Sequence, residues 1–169
     1  MSGAKQGPRV AKIFISAAAG EPMCELIHVL AIKGVGLDGD RYAIGAGLYS
    51  QSRPMKVRHV TLIAAQAIEE ANATLEVPFH ASETRRNIVL EGISSDELNA
   101  FVGKGLRLGM TGPVLRGVEL CTPCDWPDKR AGKSGFRLAF ENRGGLRAAI
   151  VEGGRIIHNA ELVPWAIQD

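Results

Sequence analysis

The sequence predicts a mainly β fold with minor α content: a closed or partly closed β-barrel carrying one or two short helices. Three observations support this. Glycine is abundant, at 20 of 169 residues; the apolar segments are short and rich in β-branched residues; and Gly or Pro turn signals separate them, as expected where a sheet closes on itself. Strands are expected at Lys12–Ser16, Glu25–Ile32, Val57–Ile63, Asn87–Leu90, Gly105–Leu108, Val114–Leu120, Leu146–Val151 and Arg155–His158. Ala64–Ala73 is rich in Ala, Glu and Gln and free of Gly and Pro, which predicts a helix of about three turns. A second, shorter helix is predicted from SSDEL. Ser94 and Glu97 have capping-box spacing, Leu98 and Phe101 supply the buried side, and the helix should end near Gly103. In VEGGRI, Gly153 and Gly154 can adopt the positive φ angles of a two-residue turn, so a terminal antiparallel hairpin is expected. Gly45–Pro54 has no periodicity and reads as a mobile loop. The chain beyond residue 160 is expected to be loosely held.

A hydrophobic content of 46% over 169 residues suffices for one core, so residues 1–169 are read as a single domain. The net charge of +2 comes from 20 basic and 18 acidic residues without long runs of either sign, which argues against nucleic acid as a partner. Basic residues are nevertheless dense locally: Arg53, Lys56 and Arg58; Arg85 and Arg86; and Lys129, Arg130, Lys133 and Arg137. Brought together, these would suit a small anion. No apolar stretch approaches the ~20 residues of a bilayer span, and MSGAKQGPRV lacks a secretory apolar region, so a cytoplasmic protein without a membrane partner is expected. Three cysteines, Cys24, Cys121 and Cys124, form an odd and sparse set, so free thiols are expected. His28 and His59 lie in apolar strands and read as hydrogen-bonded core histidines; Met23, Met55 and Met110 read as packing.

GVGLDG places Gly34, Gly36 and Gly39 at the spacing of a dinucleotide fingerprint. The context opposes it. The chain continues as DRYAIGAGLYS rather than opening a helix, and no acidic residue lies at the required distance, so a Gly-rich turn is the better reading.

CTPC, at Cys121–Cys124, follows the strand VLRGVEL and is the best chemical signal in the chain. Four readings stand. Structural zinc would need more soft or imidazole ligands than one CxxC pair supplies. A thioredoxin-like pair would need a helix N-terminus in a βαβ setting, whereas this pair lies among strands with Pro127 close behind. Both thiols can instead be small buried apolar residues. Finally, Cys124 can be a reactive thiolate, favoured by Lys129, Arg130 and Lys133 and opposed by Asp125 and Asp128. Such a sulfur can accept sulfane sulfur as a persulfide or ligate a soft metal.

In order along the chain, GDR at Gly39–Arg41, TRRNIVLEG at Thr84–Gly92, SSDELNAFVGKGLRLG and CTPCDWPD resemble the MOSC family, named for the C-termini of molybdenum cofactor sulfurases. The resemblance spans roughly residues 25–158 and suggests a stand-alone, bacterial-type member. It implies a barrel related to the domain inserted in pyruvate kinase, and binding of the molybdenum cofactor or transfer of sulfur to it. The signature cysteine aligns with Cys124, as persulfide acceptor or molybdenum ligand. The barrel leaves no room for a pyridoxal-phosphate desulfurase domain, so a separate cysteine desulfurase is the expected donor and a molybdoenzyme the expected acceptor. Some relatives are molybdenum-dependent reductases of N-hydroxylated compounds, which is the alternative enzyme reading. A non-catalytic ligand-binding barrel is the third.

The chemistry of such a ligand calls for a guanidinium fork, neutral donors and a soft ligand. Arg85, Asn87 and Cys124 supply these types, and strand alternation would put Arg85 and Asn87 on one face with Arg86 opposite. Arg41 and Lys133 are further anion-binding candidates. Asp40 is expected to orient Arg41, and Cys121 to support Cys124.

Overall fold

The computed structural model describes residues 3–169. Strands β1 (Arg9–Ile15), β2 (Cys24–Leu26), β3 (His28–Ile32), β4 (Gly36–Leu37) and β5 (Val60–Ala64) lead into helix α1 (Ala65–Asn72). A 3-10 turn at Ala81–Thr84 precedes β6 (Ile88–Glu91), α2 (Ser95–Asn99), β7 (Gly105–Leu108) and β8 (Val114–Leu120). Helices α3 (Trp126–Ala131) and α4 (Phe136–Ala139) then separate β8 from β9 (Leu146–Glu152), β10 (Gly154–Ile157) and β11 (Leu162–Pro164).

Eight strands form one sheet in the order β11-β7-β8-β9-β5-β6-β1-β2, and β10-β3-β4 form a second. Every pairing is antiparallel except β5 with β6, where Leu62 faces Ile88. A parallel pair needs a crossover, and α1 supplies it. Covered by the core on one side and α1 on the other, β6 buries Ile88, Val89 and Leu90 in succession, so its sequence shows an apolar run in place of alternation. Helix α1 packs Ala67, Ile68 and Ala71 inward. Helix α2 carries the predicted capping box: the Glu97 amide donates to Ser94 Oγ at 3.1 Å and the Ser94 amide to Glu97 Oε2 at 2.8 Å. It ends at Asn99, a turn earlier than Gly103.

The fold is mainly β with short helices, but the sheets do not close into a barrel. The eight-stranded ladder has free ends at β11 and β2. The β11 end is tied to the start of β1, where Arg9 bridges Glu161, the Val10 amide donates to Ala160 O at 2.9 Å and the Leu162 amide to Pro8 O at 2.8 Å. These contacts and the β11–β7 pairing also tie down the tail beyond residue 160, which the sequence alone leaves loose.

Two strand expectations need correction. Glu25–Ile32 is not one strand. Its first part pairs with β1 and its second with β10, and the chain passes between sheets at Ile27, which is 77% exposed. The expected terminal hairpin is also absent: β9 stays in the large sheet while β10 pairs with β3. Neither Gly153 nor Gly154 has a positive φ. Small size is what that crossing requires, since a Cβ on Gly154 would stand 2.9 Å from the backbone of Gly112 and Pro113.

Among the described residues no helix is long and apolar enough to cross a membrane. Met55 and Met110 are exposed, not packed, and His28 lies on an exposed strand face. His59 is half-buried; its Nδ1 accepts the Ile150 amide at 3.0 Å, and burial holds its pKa below the ordinary value.

Candidate functional site

A cavity of about 100 Å³ lies where β8 ends and α3 begins. The Cys121 amide donates to Gly145 O at 2.8 Å, which fixes the chain leaving β8 against the start of β9. Cys121 is thereby buried, at 4% exposure, while Cys124 is half-buried, and both thiols line the cavity. Pro127, expected to argue against a helix, sits in the first turn of α3, where its missing amide costs nothing. Five arginines share the lining: Arg41, Arg58, Arg85, Arg86 and Arg147. Among the described residues no carboxylate does.

One wall is built from buried, mutually bonded groups. Asp40, 1% exposed, accepts from the Ser16 amide at 3.1 Å, from Arg41 Nη1 at 3.1 Å, from Asn87 Nδ2 at 3.3 Å and, on its other oxygen, from the Tyr42 amide at 3.3 Å. Asn87 also donates to Phe14 O and accepts from the backbone and hydroxyl of Thr61. Arg41 reaches onward, its Nη2 donating to Arg85 O at 3.3 Å. Arg85 itself has a left-handed backbone, φ 63°, which costs a non-glycine residue about 1 kcal/mol and persists only when its surroundings dictate it. Its Nη1 donates to Glu21 O at 2.6 Å, and its buried Nη2 has no partner among the described residues. Burial, then the proximity of Arg41 and Arg130, pushes the Arg85 pKa down to about 10, so it stays charged at neutral pH.

The facing wall comes from the Gly45–Pro54 segment and its neighbours. Tyr49 stands beside Cys124, and its phenol is held above its ordinary pKa by burial, by Cys124 and by Tyr42, with Arg58 opposing. The Arg58 guanidinium lies 5.0 Å from the Tyr49 ring and 5.8 Å from Tyr42, and no ion pair to it is formed among the described residues. Arg147 is paired with Glu119. Arg86 donates through Nε to Gly144 O at 2.6 Å.

The structure thus brings Arg41, Arg85, Asn87, Cys121 and Cys124 around one cavity, with Asp40 directly behind Arg41. Lys133 is elsewhere. Its ammonium binds Glu83 at 2.5 Å and Pro78 O at 2.8 Å and lies over the Phe79 ring. The geometric premise for Arg85 and Asn87 was wrong, because both precede β6, and the same-face rule does not apply outside a strand. Arg86, expected to point away, lines the cavity too. The basic run from Lys129 to Arg137 does not join it: besides Lys133, Arg137 pairs with exposed Asp125. Asp128 caps the amide of Phe136 at 2.9 Å. Sequence reading missed Tyr42, Tyr49 and Arg147. The strand period offered a signal for Arg147, which alternates with buried Leu146 and Ala148. No local signal marks Tyr49.

Fold and site together define a mainly β module that presents a cysteine in an arginine-lined hollow. The profile of the MOSC domain matches residues 37–163, and the chain belongs to the MOSC domain family, which is associated with the molybdenum cofactor and sulfurase-type activity. Among solved structures it is similar to the YuaD protein from Bacillus subtilis, at 15% identity and TM-score 0.75, covering 95% of this chain and 98% of that one. It is also similar to YiiM from Geobacillus stearothermophilus, at 12% identity and TM-score 0.70, covering 94% and 75%. YiiM from Escherichia coli gives 15% identity and TM-score 0.60, covering 94% and 71%. At these identities the likeness concerns the fold. No curated protein sequence matches the chain significantly.

The residues present fit the family's cofactor in chemistry. The Arg58 guanidinium, without a counter-ion among the described residues, suits an anionic group, and the Cys124 thiol suits a soft metal. The cavity is smaller than the ~300–1,000 Å³ typical of pockets for drug-sized ligands, so it has room for only one end of such a molecule. Among the described residues no group of three or more His, Cys, Asp and Glu gathers as a metal cage.

Proposed function

We propose that this protein is a sulfur carrier of the sulfurtransferase type, handling sulfur for the molybdenum cofactor through a persulfide on Cys124. One observation carries the reading: a half-buried thiol faces a small cavity lined by five arginines and no carboxylate. Such a hollow suits an anionic ligand and has room for an added sulfur atom. In the loading step, the Cys124 thiolate attacks the terminal sulfur of a donor persulfide. The new S–S bond forms as the donor's S–S bond breaks, and the donor departs as thiolate, so no external oxidant is needed. A cysteine desulfurase is the proposed donor and a molybdoenzyme the proposed acceptor. The bound cofactor would supply a metal centre able to take up sulfur. Towards it, Arg58 would hold an anionic group and Cys124 would provide the soft contact.

The test is mass spectrometry after incubation with a low-molecular-weight persulfide donor. The wild-type protein should gain ~32 Da, one sulfur atom, on Cys124, and Cys124→Ser should not. An equal gain in the Ser variant, or none in the wild type, overturns the carrier reading. Stoichiometric molybdenum with reductive turnover of N-hydroxylated substrates would favour the reductase alternative. Alkylation of Cys124 only after unfolding would favour a non-catalytic binding module.

A further inference from the structure

A second cavity, of about 200 Å³, opens between the Pro22–Met23 segment, the 3-10 turn and the last turn of α3, and shares only Arg85 with the thiol cavity. It is ample, since a single water needs only ~10–15 Å³. Two of its lining residues carry a buried guanidinium nitrogen with no hydrogen-bond partner among the described residues: Nη2 of Arg85 and Nε of Arg130. Arg85 is 6% exposed. Buried donors are nearly always satisfied, and a charged one left bare carries its full desolvation cost.

The charged and sulfur-bearing acceptors nearby already hold other donors. Glu83, the one carboxylate on this lining, is bonded to Lys133 at 2.5 Å and to the His80 amide at 2.8 Å. Met23 Sδ accepts from Arg41 Nη1 at 3.5 Å, and Asp40 is taken up by Arg41. The Arg85 and Arg130 charges repel each other, which adds to the effect of burial on Arg85. An anion between them would relieve both the repulsion and the missing bonds.

We propose that this cavity binds a tetrahedral oxyanion of the sulfate or phosphate class, gripped by Arg85 and Arg130, at a site separate from the thiol hollow. The planar fork of arginine suits such an ion better than a lysine would. Because Arg85 borders both cavities, an anion seated here also fixes the wall that faces Cys124. The proposal stands independently of the persulfide reading.

Isothermal calorimetry with inorganic phosphate and inorganic sulfate tests it at constant ionic strength, with chloride as the competing salt. A melting shift would not serve, since sulfate raises stability by exclusion from protein surfaces. The wild type should bind at least one oxyanion saturably, and Cys124→Ser should bind it equally. Arg130→Gln should weaken it by about tenfold or more, the loss of one charge-assisted contact. A phosphate monoester that binds tenfold tighter than either ion would identify the oxyanion as the end of a larger ligand. Circular dichroism of Arg130→Gln without ligand checks that the fold is kept, and Arg130→Lys should then retain partial binding. Absence of saturable binding, an Arg130→Gln affinity within about twofold of wild type, or loss of binding in Cys124→Ser would each overturn the assignment.

Discussion

The two walls of the thiol cavity use the same residue type in opposite ways. On the Asp40 side, Arg41 is buried, paired and fixed by a carboxylate that itself has four donors. On the Tyr49 side, Arg58 lies over aromatic rings with no counter-ion among the described residues. That second wall is held mostly by its own short-range bonds, such as Gly47 amide to Ser50 Oγ at 2.8 Å and Ser52 Oγ to Tyr49 O at 2.7 Å. Its ties to the rest of the chain include Ala46 to Arg41 and Ala19 to Ala46. Few long-range bonds and exposed side chains are the marks of a segment that opens locally at low cost. An arginine therefore serves as structure where burial forces pairing, and as a ligand-facing cation where solvent removes that demand.

Substitutions on the two walls should separate sharply. Asp40→Ala leaves the Arg41 charge buried without its partner, and should cost about 3–5 kcal/mol in urea denaturation. Arg58→Leu should stay within ~0.5 kcal/mol of wild type in the same measurement. Equal losses would mean that the facing wall is as tightly determined as the first. Tyr49→Phe should change stability little but slow alkylation of Cys124 by about fivefold, the worth of one hydrogen bond (~1 kcal/mol) to the reacting sulfur. An unchanged rate would place the Tyr49 hydroxyl outside the reaction.

The smallest effect concerns Lys133 and Glu83, which brace the paired wall from outside. Burial would raise the Glu83 pKa, but the Lys133 ammonium and the His80 amide outweigh it and hold the carboxyl below its ordinary value. A depressed folded pKa means that the stabilisation is complete above the unfolded carboxylate value. It is lost as pH falls through the lower folded value. Lys133→Met should flatten that part of the stability profile by ~0.5 kcal/mol, and a slope identical to wild type would show that the pair contributes nothing.

Much of the architecture was legible because it follows from local rules. Ala and Glu without Gly or Pro marked α1, and Ser94 with Glu97 marked the start of α2 to the residue. Breaks without a local cue were not legible. ELIHVLAI contains no Gly or Pro to mark a break, yet it splits at Ile27 because its two halves pair with different partners. Helix α3 went unread because Pro127, taken as a sign against a helix after the CxxC pair, sits in its first turn.

The site divides in the same way. The chain alone determined which residues have the chemistry: a CxxC thiol after a strand, and guanidinium and amide side chains close together at Arg85 and Asn87. Tertiary structure decided which of them meet. It set Lys133 against Glu83, away from the cavity, and brought Tyr49, Arg58 and Arg147 around Cys124 from distant positions. Side-chain type and short-range periodicity are written in neighbouring residues, whereas a cavity is the space left when remote strands fix their register. No window of sequence contains that register.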